Sequence, residues 1–372
     1  MQKIAIVSPR LPTGGAVGGA ETLLLNLARL AAEGGADVTF LTTCSTNRDG
    51  KWTNEIPAGE SVHEGLKVIR FPVDTGVELR GLGDVKSAAL LAHVRDVPYD
   101  RIVTGPYLFG LVMAVAAAVP DRTILVPCVH DEEDARFPHV REMFRAVRGF
   151  CFNTEPERDL AARLYGSAIL SPERPCGVVG YALPDFESDP AAGRRLAGTD
   201  APYLIYCGRR DPMKGTPLVI DYWAAWRALH PETDLKLVLT GIGNIDVPQG
   251  CREHLIDLGD VADARKRHDL MAGAVAFFHA SVNESLSIVL LESWLARRPV
   301  IVHAHGVVLR AQTKRANGGL WFRDFFEFNE CVELLLRDPA LADALGESGR
   351  AFALAEYSPD AVRRRFLETL AR

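Results

Sequence analysis

The chain has 372 residues, a formal net charge of -6, 48% hydrophobic residues and 24% charged residues. This composition is typical of a soluble globular protein, and the small negative charge argues against nucleic acid as the main partner. No apolar run reaches the roughly 18 residues that indicate a membrane span, and the length suffices for two domains.

The first segment, MQKIAIVSPR, has the pattern of a buried strand and lacks the longer apolar region of a signal peptide. Seven cysteines occur singly, without the paired spacing of a zinc site. A scattered, odd set of cysteines is typical of reduced thiols. We therefore expect a cytoplasmic protein.

Short apolar runs alternate with helical patterns along the first half of the chain. The predicted strands are KIAIVSP, DVTFLTT, KVIRFPV, DRIVTG, TILVPCVH and GFCFNT. The predicted helices are ETLLLNLARLAAEGG, LGDVKSAALLAHVRD and LFGLVMAVAAAV. Such alternation predicts a parallel sheet with helices on both faces.

The second half repeats this alternation. Its predicted strands are YLIYCGR, LKLVLTG, GAVAFFHAS and PVIVHA, with helices PLVIDYWAAWRALHP and SLSIVLLESWLA. A stretch rich in Pro, Gly and acidic residues, about 175–200, is predicted to be a linker. The predicted fold class is α/β, with Rossmann-like, doubly wound domains at 1–180 and 181–355 and a cleft between them. A last helix, 356–372, is expected to pack on the first domain. Ligands of such sheets bind at the carboxyl ends of the strands.

The loop SPRLPTGGAVGGAETLLLN joins the first strand to the first helix and is rich in glycine. Backbone N–H groups at a helix N-terminus attract phosphate, and glycine permits its close approach. The dinucleotide pattern G-x-G-x-x-G is absent, because Ala16 and Val17 stand at the needed positions. The loop is therefore a phosphate site or a plain turn, and a dehydrogenase is disfavoured.

Three cations follow the predicted strand YLIYC. They are Arg209, Arg210 and Lys214 in the segment GRRDPMKG. Arginine can hold phosphate oxygens in pairs, and lysine acts as a point charge. The segment is therefore either a diphosphate site or a solvated basic loop.

Glu284 and Glu292 bracket a nearly apolar run near the end of the chain, SLSIVLL. A buried carboxylate without a partner costs several kcal/mol, so partners are expected. A helix that begins near Ser285 would place Glu284 beside its N-terminus and Glu292 about two turns along it. Carboxylates accept hydrogen bonds from sugar hydroxyls, and the helix N-terminus can hold phosphate. The alternative is a capping glutamate and a solvated one.

GRRDPMKG, followed about seventy residues later by HASVNESLSIVLLESWLARRPVIV, resembles the signature of the retaining glycosyltransferases of family four. That signature reads G-R-x(n)-K-G, then S-x-x-E-G-F-G-x-x-x-x-E-A-x-A-x-G-x-P-V. GGAE and VHD also resemble loops of the family's N-terminal domain. The resemblance implies the GT-B fold and transfer of a hexose-type sugar from a nucleotide diphosphate to an acceptor hydroxyl, with retention.

The resemblance also implies roles for individual residues. Arg209 and Lys214 match the cations on the donor diphosphate. Glu284 matches the acid that contacts the donor sugar, and Glu292 the acid that holds the ribose hydroxyls. His130 matches the histidine near the reactive carbon, so His130 and Glu284 are the expected catalytic residues. The other residues expected in the donor site are Gly18, Gly19, Val261, Leu286, Ser287 and Ile288.

The chain departs from the family signature in places that bear on sugar identity. Ser-Leu-Ser follows Glu284 where Gly-Phe-Gly is common, and Arg298 replaces a glycine. RANGGLWF and LAEYS resemble a subset that builds surface polysaccharide, so polysaccharide or glycoconjugate synthesis is the expected role. A nucleotide-sugar epimerase of the same fold and a non-catalytic nucleotide-sugar-binding protein are the alternatives.

No cofactor and no metal is expected, because Arg209, Lys214 and a helix N-terminus would stabilise the leaving diphosphate. His303 and His305 lack a third ligand. The acceptor is expected to be a sugar, a lipid-linked compound or a small molecule, and the polar loop 45–61 is an acceptor lid or a surface excursion. Basic residues in FPHVREMFRAVRG form a solvated face or touch anionic lipid, so the inner membrane face is a second expected location.

Overall fold

The structure is a computed structural model that describes residues 1–12, 18–46, 51–74 and 82–372. Most of the glycine-rich loop, residues 13–17, and residues 47–50 of the predicted polar loop therefore lie outside the described residues. Two compact units divide the chain. The first contains residues 1–182 and 359–372, and the second contains residues 183–358.

The first unit is built on a mostly parallel sheet. Within the described residues this sheet has eight strands in the order β3-β4-β2-β1-β5-β6-β7-β8, and only β3 and β4 pair in the antiparallel sense. The strands are β1 (Lys3–Val7), β2 (Asp37–Thr43), β3 (Gly59–His63), β4 (Leu66–Phe71), β5 (Arg101–Thr104), β6 (Thr123–Leu125), β7 (Gly149–Phe152) and β8 (Cys176–Val178). Central strands such as β1 are buried on both faces, as their continuous apolar runs predict.

Among the described residues, five α-helices precede the second unit and cover this sheet. They are α1 (Gly19–Glu33), α2 (Ala88–Asp96), α3 (Gly110–Ala118), α4 (Pro138–Ala146) and α5 (Glu155–Tyr165). Side-chain hydroxyls begin two of them, because Ser87 accepts from the N–H of Leu90 and Thr154 from the N–H of Glu157.

The prediction of a polar loop over 45–61 is wrong at its C-terminal boundary. Residues 59–61 belong to β3, an edge strand with mostly exposed side chains. Such a strand has no buried face and gives no alternating pattern. Trp52, within the same predicted loop, is buried in the core of the first unit.

The predicted linker at 175–200 also contains regular structure. Strand β8 pairs in parallel with β7, and helix α6 (Pro190–Ala197) follows in the second unit. Both elements are short, and α6 contains Gly193, whose added Cβ would lie 1.8 Å from the carbonyl oxygen of Asp269. Glycine at this position therefore permits close helix packing, although in the sequence it resembled a linker residue.

The second unit has a fully parallel sheet. Within the described residues it has six strands in the order β11-β10-β9-β12-β13-β14. They are β9 (Tyr203–Cys207), β10 (Lys236–Thr240), β11 (Leu255–Asp257), β12 (Ala276–His279), β13 (Val300–His303) and β14 (Gly319–Phe322). The later helices are α7 (Thr216–Leu229), α8 (Ala264–Gly273), α9 (Ile288–Leu295), α10 (Val307–Ala316), α11 (Phe325–Arg337) and α12 (Pro339–Tyr357). Trp223 and Trp226 of α7 are buried core residues.

A last helix, α13 (Pro359–Ala371), returns to the first unit. Its residues Val362, Phe366 and Leu370 are buried in the same apolar cluster as β1 and α1. A Cβ on Gly177 of β8 would lie 2.0 Å from Thr369 Oγ1, so the helix approaches the sheet edge very closely. No helix in the described part of the chain combines the length and the apolarity needed to cross a bilayer.

Candidate functional site

The carboxyl end of the second sheet brings several predicted site residues together. Lys214 ends the loop after β9, and Glu284 lies in the loop between β12 and α9. Gly215 has a φ of +70°, and an added Cβ there would lie 2.5 Å from the carbonyl oxygen of Ala280. The two loops therefore touch through backbone, which a side chain at Gly215 would prevent.

Lys214 and Glu284 form an ion pair. The Nζ atom of Lys214 donates to Glu284 Oε1 at 2.8 Å. His279, the last residue of β12, lies on the other side with Nε2 at 3.3 Å from the same oxygen. The imidazole is buried, and among the described residues neither ring nitrogen has a hydrogen-bond partner of normal geometry. The His279 contact is therefore a close approach that lacks hydrogen-bond alignment.

The surroundings of Glu284 favour its ionised form. Burial by itself would raise the pKa of this carboxyl, but the contact with His279 and the positive charge of Lys214 outweigh it. The pKa of Glu284 consequently lies well below its usual range. At neutral pH the site presents a carboxylate that can accept hydrogen bonds.

Helix α9 begins beside this pair. It starts at Ile288, three residues later than predicted, and Ser287 is its N-cap with a φ of +75°. This backbone conformation is rare for a residue with a side chain, which accounts for the glycine that the resembled family commonly has here. Leu286 is buried, and its carbonyl oxygen accepts from Gln312 Nε2 at 2.7 Å. The turn that precedes the helix N–H groups is therefore held by α10.

Glu292 lies in α9 and is buried. Arg267 of α8 spans its carboxylate, with Nη2 at 2.9 Å from Oε1 and Nε at 3.3 Å from Oε2. His268 Nε2 lies 3.4 Å from Oε1. Arg267 Nη1 also donates to the carbonyl oxygen of Val261 at 3.5 Å, which links this predicted donor residue to Glu292.

The partners of Glu292 again determine its charge. Burial would raise its pKa, but the contacts with His268 and Arg267 lower it overall. The alternative of a capping glutamate and a solvated one is wrong. Glu292 is buried, the side chain of Glu284 is only 10% exposed, and both carboxylates are paired. The cap of α9 is Ser287.

The two arginines after β9 differ in what they contact. Arg210 is mostly buried and its guanidinium holds the carboxylate of Asp257, with Nη1 at 2.8 Å from Oδ2. Arg209 is exposed over 58% of its side chain and pairs with Asp211 at 3.2 Å. Arg210 is therefore a structural ion pair, and Arg209 is the arginine accessible to a ligand.

The remaining predicted residues of the donor site lie in the first unit. Gly18 is the N-cap of α1 and Gly19 its first residue. Glu21 in the first turn is buried, and Arg10 Nε donates to its Oε1 at 2.9 Å. Glu21, in the first turn of α1, is therefore neutralised by Arg10.

His130 follows β6 and is half-buried. Its Nδ1 lies 3.7 Å from Glu132 Oε1, which also accepts from the Tyr107 hydroxyl at 2.6 Å. Glu157 of α5 supports this loop from below, because its carboxylate accepts the N–H of Val129 at 2.9 Å and the N–H of Asn153 at 2.6 Å. The backbone next to His130 is thus tied to a fully buried glutamate.

Sequence reasoning missed three residues of these clusters. His279 had the pattern of the end of an apolar strand, and Arg267 and His268 had that of a polar helix, ADARKRHDL. Their partners are 5 to 25 residues away in the chain, and they come together only in the folded second unit. Within the described residues no group of three or more His, Cys, Asp or Glu is arranged to hold a metal ion.

Two family models match most of the chain between them. Residues 18–174 match the model of the glycosyl transferase 4-like domain. Residues 201–338 match that of the glycosyl transferases group 1. A D-inositol 3-phosphate glycosyltransferase of Catenulispora acidiphila is 27% identical, with an alignment over 90% of this chain and 86% of that protein.

Solved structures resemble the whole chain. Sucrose-phosphate synthase from Thermosynechococcus elongatus has a TM-score of 0.75 at 18% identity, and 99% of this chain and 98% of that chain are covered. HepE of Anabaena, in complex with UDP-glucose, has a TM-score of 0.71 at 18% identity, with both chains fully covered. The predicted α/β fold with two parallel-sheet domains of GT-B type is confirmed.

Proposed function

The chain belongs to the GT4-type glycosyltransferases, and from this premise we propose that it moves a hexose-type sugar from a nucleoside diphosphate to an acceptor hydroxyl with retention of anomeric configuration. The observation that carries this proposal is the partly buried contact of Lys214 with Glu284, beside the start of α9. One group suits an anionic diphosphate and the other suits neutral sugar hydroxyls.

In this proposal the two members of the pair separate their roles when the donor binds. The ammonium of Lys214 moves to the diphosphate, as a flexible point charge can. Glu284 then accepts hydrogen bonds from the transferred sugar. When Lys214 turns to the diphosphate, the imidazole of His279 remains beside the Glu284 carboxylate.

The reaction needs stabilisation of the leaving group. As the bond between the sugar carbon and the phosphate oxygen breaks, negative charge grows on the departing diphosphate. In this proposal Lys214, the exposed Arg209 and the N–H groups around Ser287 and Ile288 oppose that charge. The acceptor oxygen attacks from the face that the diphosphate leaves, and its proton passes to a phosphate oxygen.

We assign the ribose of the donor to Glu292. Val261 and Leu286 are the residues that we propose next to the donor at this end of the site. The relatives support a nucleotide sugar as donor, because HepE is described in complex with UDP-glucose. Turnover is independent of divalent metal in this proposal, because side-chain cations and backbone N–H groups supply the positive charge. His130 orients the sugar near its reactive carbon, and Gly18 and Gly19 adjoin the phosphates.

The acceptor is a sugar, a lipid-linked compound or a small molecule in surface polysaccharide or glycoconjugate synthesis. Contact with the inner face of a membrane would use the basic face of α4, where Arg141 and Arg145 are exposed and Arg148 follows the helix. Phe137, exposed over 46% of its surface, stands at the start of this helix. These features give the helix an apolar and a cationic contact for anionic lipid.

Incubation with a panel of UDP and GDP sugars tests the proposal, with slow donor hydrolysis and retention of the anomeric centre as readouts. Hydrolysis that releases the nucleoside diphosphate supports transfer. Formation of an epimer without release would support the epimerase, and tight binding without any reaction would support the non-catalytic alternative. The family matches favour neither of these two.

A further inference from the structure

Arg267 forms an ion pair with Glu292, whose carboxylate we assign to the donor ribose. Its guanidinium spans both oxygens of Glu292, at 2.9 Å and 3.3 Å, and is 24% exposed. A planar guanidinium that spans a carboxylate in this way fixes the plane and the rotation of the carboxylate, which a lysine cannot do. The orientation of Glu292 is therefore set by α8.

A second contact supports the same orientation. His268, next to Arg267, approaches Glu292 Oε1 at 3.4 Å and stacks on Phe186 with ring centroids 3.5 Å apart and an angle of 9° between planes. An ionised carboxylate has about four lone-pair positions. Arg267 and His268 use positions on both oxygens, with two of the contacts on Oε1, so the free capacity is mainly on Oε2.

Glu292 would not be a usable acceptor without this support. A buried carboxylate without a cation tends to take up a proton, and a protonated carboxyl loses acceptor capacity. The other groups near this cluster do not replace the cation, because Cys207 and Asp260 contribute neutral or negative side chains. Among the groups named here, Arg267 is therefore the one with a permanent positive charge.

We propose that Arg267 is a positioning residue for the donor nucleotide, because it fixes the Glu292 carboxylate so that Oε2 accepts a ribose hydroxyl. This inference rests on the proposed nucleotide-sugar site. It adds a residue that the sequence signature does not contain and assigns to α8 a part in selecting a ribonucleotide. Arg267 itself need not contact the ligand.

The test measures ribose recognition by calorimetry, with UDP and GDP against their 2′,3′-dideoxy forms. The wild-type protein should bind the ribonucleotide about tenfold more tightly than the dideoxy form, as expected for hydrogen bonds to a charged group. Arg267→Met should lose most of this preference while its affinity for the dideoxy nucleotide stays within about twofold. A merely structural role would weaken both ligands equally.

Matched variants make the outcome specific. Arg265→Met changes the same residue type on the same helix, where Arg265 pairs with Asp269, and should keep the full preference. Arg267→Lys keeps the charge but loses the planar contact, and should show an intermediate preference. If Arg267→Met does not fold, Arg267→Lys carries the test. Glu292→Gln should abolish the preference, and adding Arg267→Met to it should then change nothing further.

The results distinguish failure of the proposed nucleotide site from failure of the positioning role of Arg267. A wild-type protein that binds neither UDP nor GDP overturns the proposed nucleotide site. A wild-type protein that prefers the ribonucleotide, together with an Arg267→Met variant that prefers it equally, overturns only the positioning role. Equal weakening of ribo and dideoxy forms in a folded Arg267→Met also overturns it, because Arg267 would then support the site in general and not the contact with the ribose.

Discussion

Glu157 in the first unit is fully buried and Glu284 in the second is mostly buried, and their pKa values move in opposite directions. Burial raises the pKa of Glu157 to about 8, although backbone N–H groups of Asn153 and Val129 act against this. Burial also acts on Glu284, but His279 and Lys214 reverse its effect and lower the pKa.

The difference shows what a cation does in a buried site. Glu157 has good neutral donors at 2.6 and 2.9 Å, and they do not offset the loss of water around a full charge. Glu284 has His279 Nε2 at 3.3 Å and Lys214 Nζ at 2.8 Å, and together these two contacts outweigh the effect of burial on its pKa. Burial with neutral donors therefore supports a neutral carboxyl that ties loops together, whereas burial beside a cation maintains a carboxylate for binding.

Removing the charge of Glu284 should have the largest effect. Glu284→Gln keeps the size of the side chain but weakens its hydrogen bonds to sugar hydroxyls. We expect kcat for sugar transfer to fall about 100-fold, comparable with the loss of one preorganised transition-state contact. KM should rise less than kcat falls, because the contact tightens in the transition state. Steady-state kinetics on the nucleotide sugar measure both.

Two controls separate this effect from misfolding. Glu327→Gln removes an exposed charge paired with Arg323 in the same unit and should leave kcat unchanged. Affinity of Glu284→Gln for the bare nucleoside diphosphate should not fall, because that ligand lacks the transferred sugar and Lys214 loses a competing anion. Transfer at the wild-type rate by Glu284→Gln would show that the carboxylate is only structural.

Removing the cation should make Glu284 resemble Glu157. Lys214→Ala should weaken binding of the bare nucleoside diphosphate by roughly 1.5–3 kcal/mol, the value for a hydrogen bond to a charged group. It also leaves a buried carboxylate without its lysine, so the pKa of Glu284 should rise. Calorimetry gives the affinity. Lys236→Ala, at the opposite end of the sheet and paired with Asp234, should leave it unchanged. Unaltered diphosphate affinity in a folded Lys214→Ala contradicts the assignment.

The pH dependence of stability should separate the two glutamates by sign. The raised pKa of Glu157 gives a stability contribution that is full below its unfolded value near 4.5 and is lost as pH rises toward about 8. The lowered pKa of Glu284 gives a contribution that is present above about 4.5 and is lost as pH falls below it.

Urea unfolding of the wild type and of Glu157→Gln and Glu284→Gln between pH 4 and 8 tests this sign. As pH rises, the free energy of unfolding of the wild type should fall relative to that of Glu157→Gln, by up to about 1.4 kcal/mol per pH unit. The difference for Glu284→Gln should stay flat from pH 5 to 8 and shrink in acid. Parallel slopes for the two variants would overturn the comparison.

The smallest effect is expected from removal of metal. If Lys214 and Arg209 supply the positive charge beside Glu284, excess EDTA should change turnover by less than about twofold, since no Lewis acid is then needed. The measurement is initial rate before and after chelation, with Mn²⁺ added back. Loss of activity that Mn²⁺ restores would contradict this distribution of charge.

Much of the second unit could be predicted from the sequence. The apolar runs that form β9 and β12 are continuous, and each is followed by a polar loop, so Lys214 and Glu284 were expected at the same sheet edge. Their pairing at 2.8 Å needed the folded structure. The roles of these residues came from the resemblance to a family, and they stay predictions until the variants are measured.

The rest could not be predicted for physical reasons. Strand β3 lacks a buried face, and β8 has only three residues, so neither gives a periodic signal. Arg267 was not identified because an arginine in a polar helix resembles a solvated one until its partner is placed. Its partner, Glu292, is 25 residues away in the chain. Contacts of this kind depend on sheet order, which a local pattern does not contain.

The return of α13 to the first unit has a consequence for how the protein is made. Val362, Phe366 and Leu370 complete the apolar cluster formed by β1 and α1. A ribosome releases these residues only after residues 183–358 have been synthesised. Part of the core of the nascent first unit therefore stays uncovered until α13 has been synthesised. The second unit is continuous in the chain and can fold as soon as its own residues have been synthesised. Closing the first unit is a contact of very high sequence separation, which slows folding. The second unit is thus expected to fold to completion before the first.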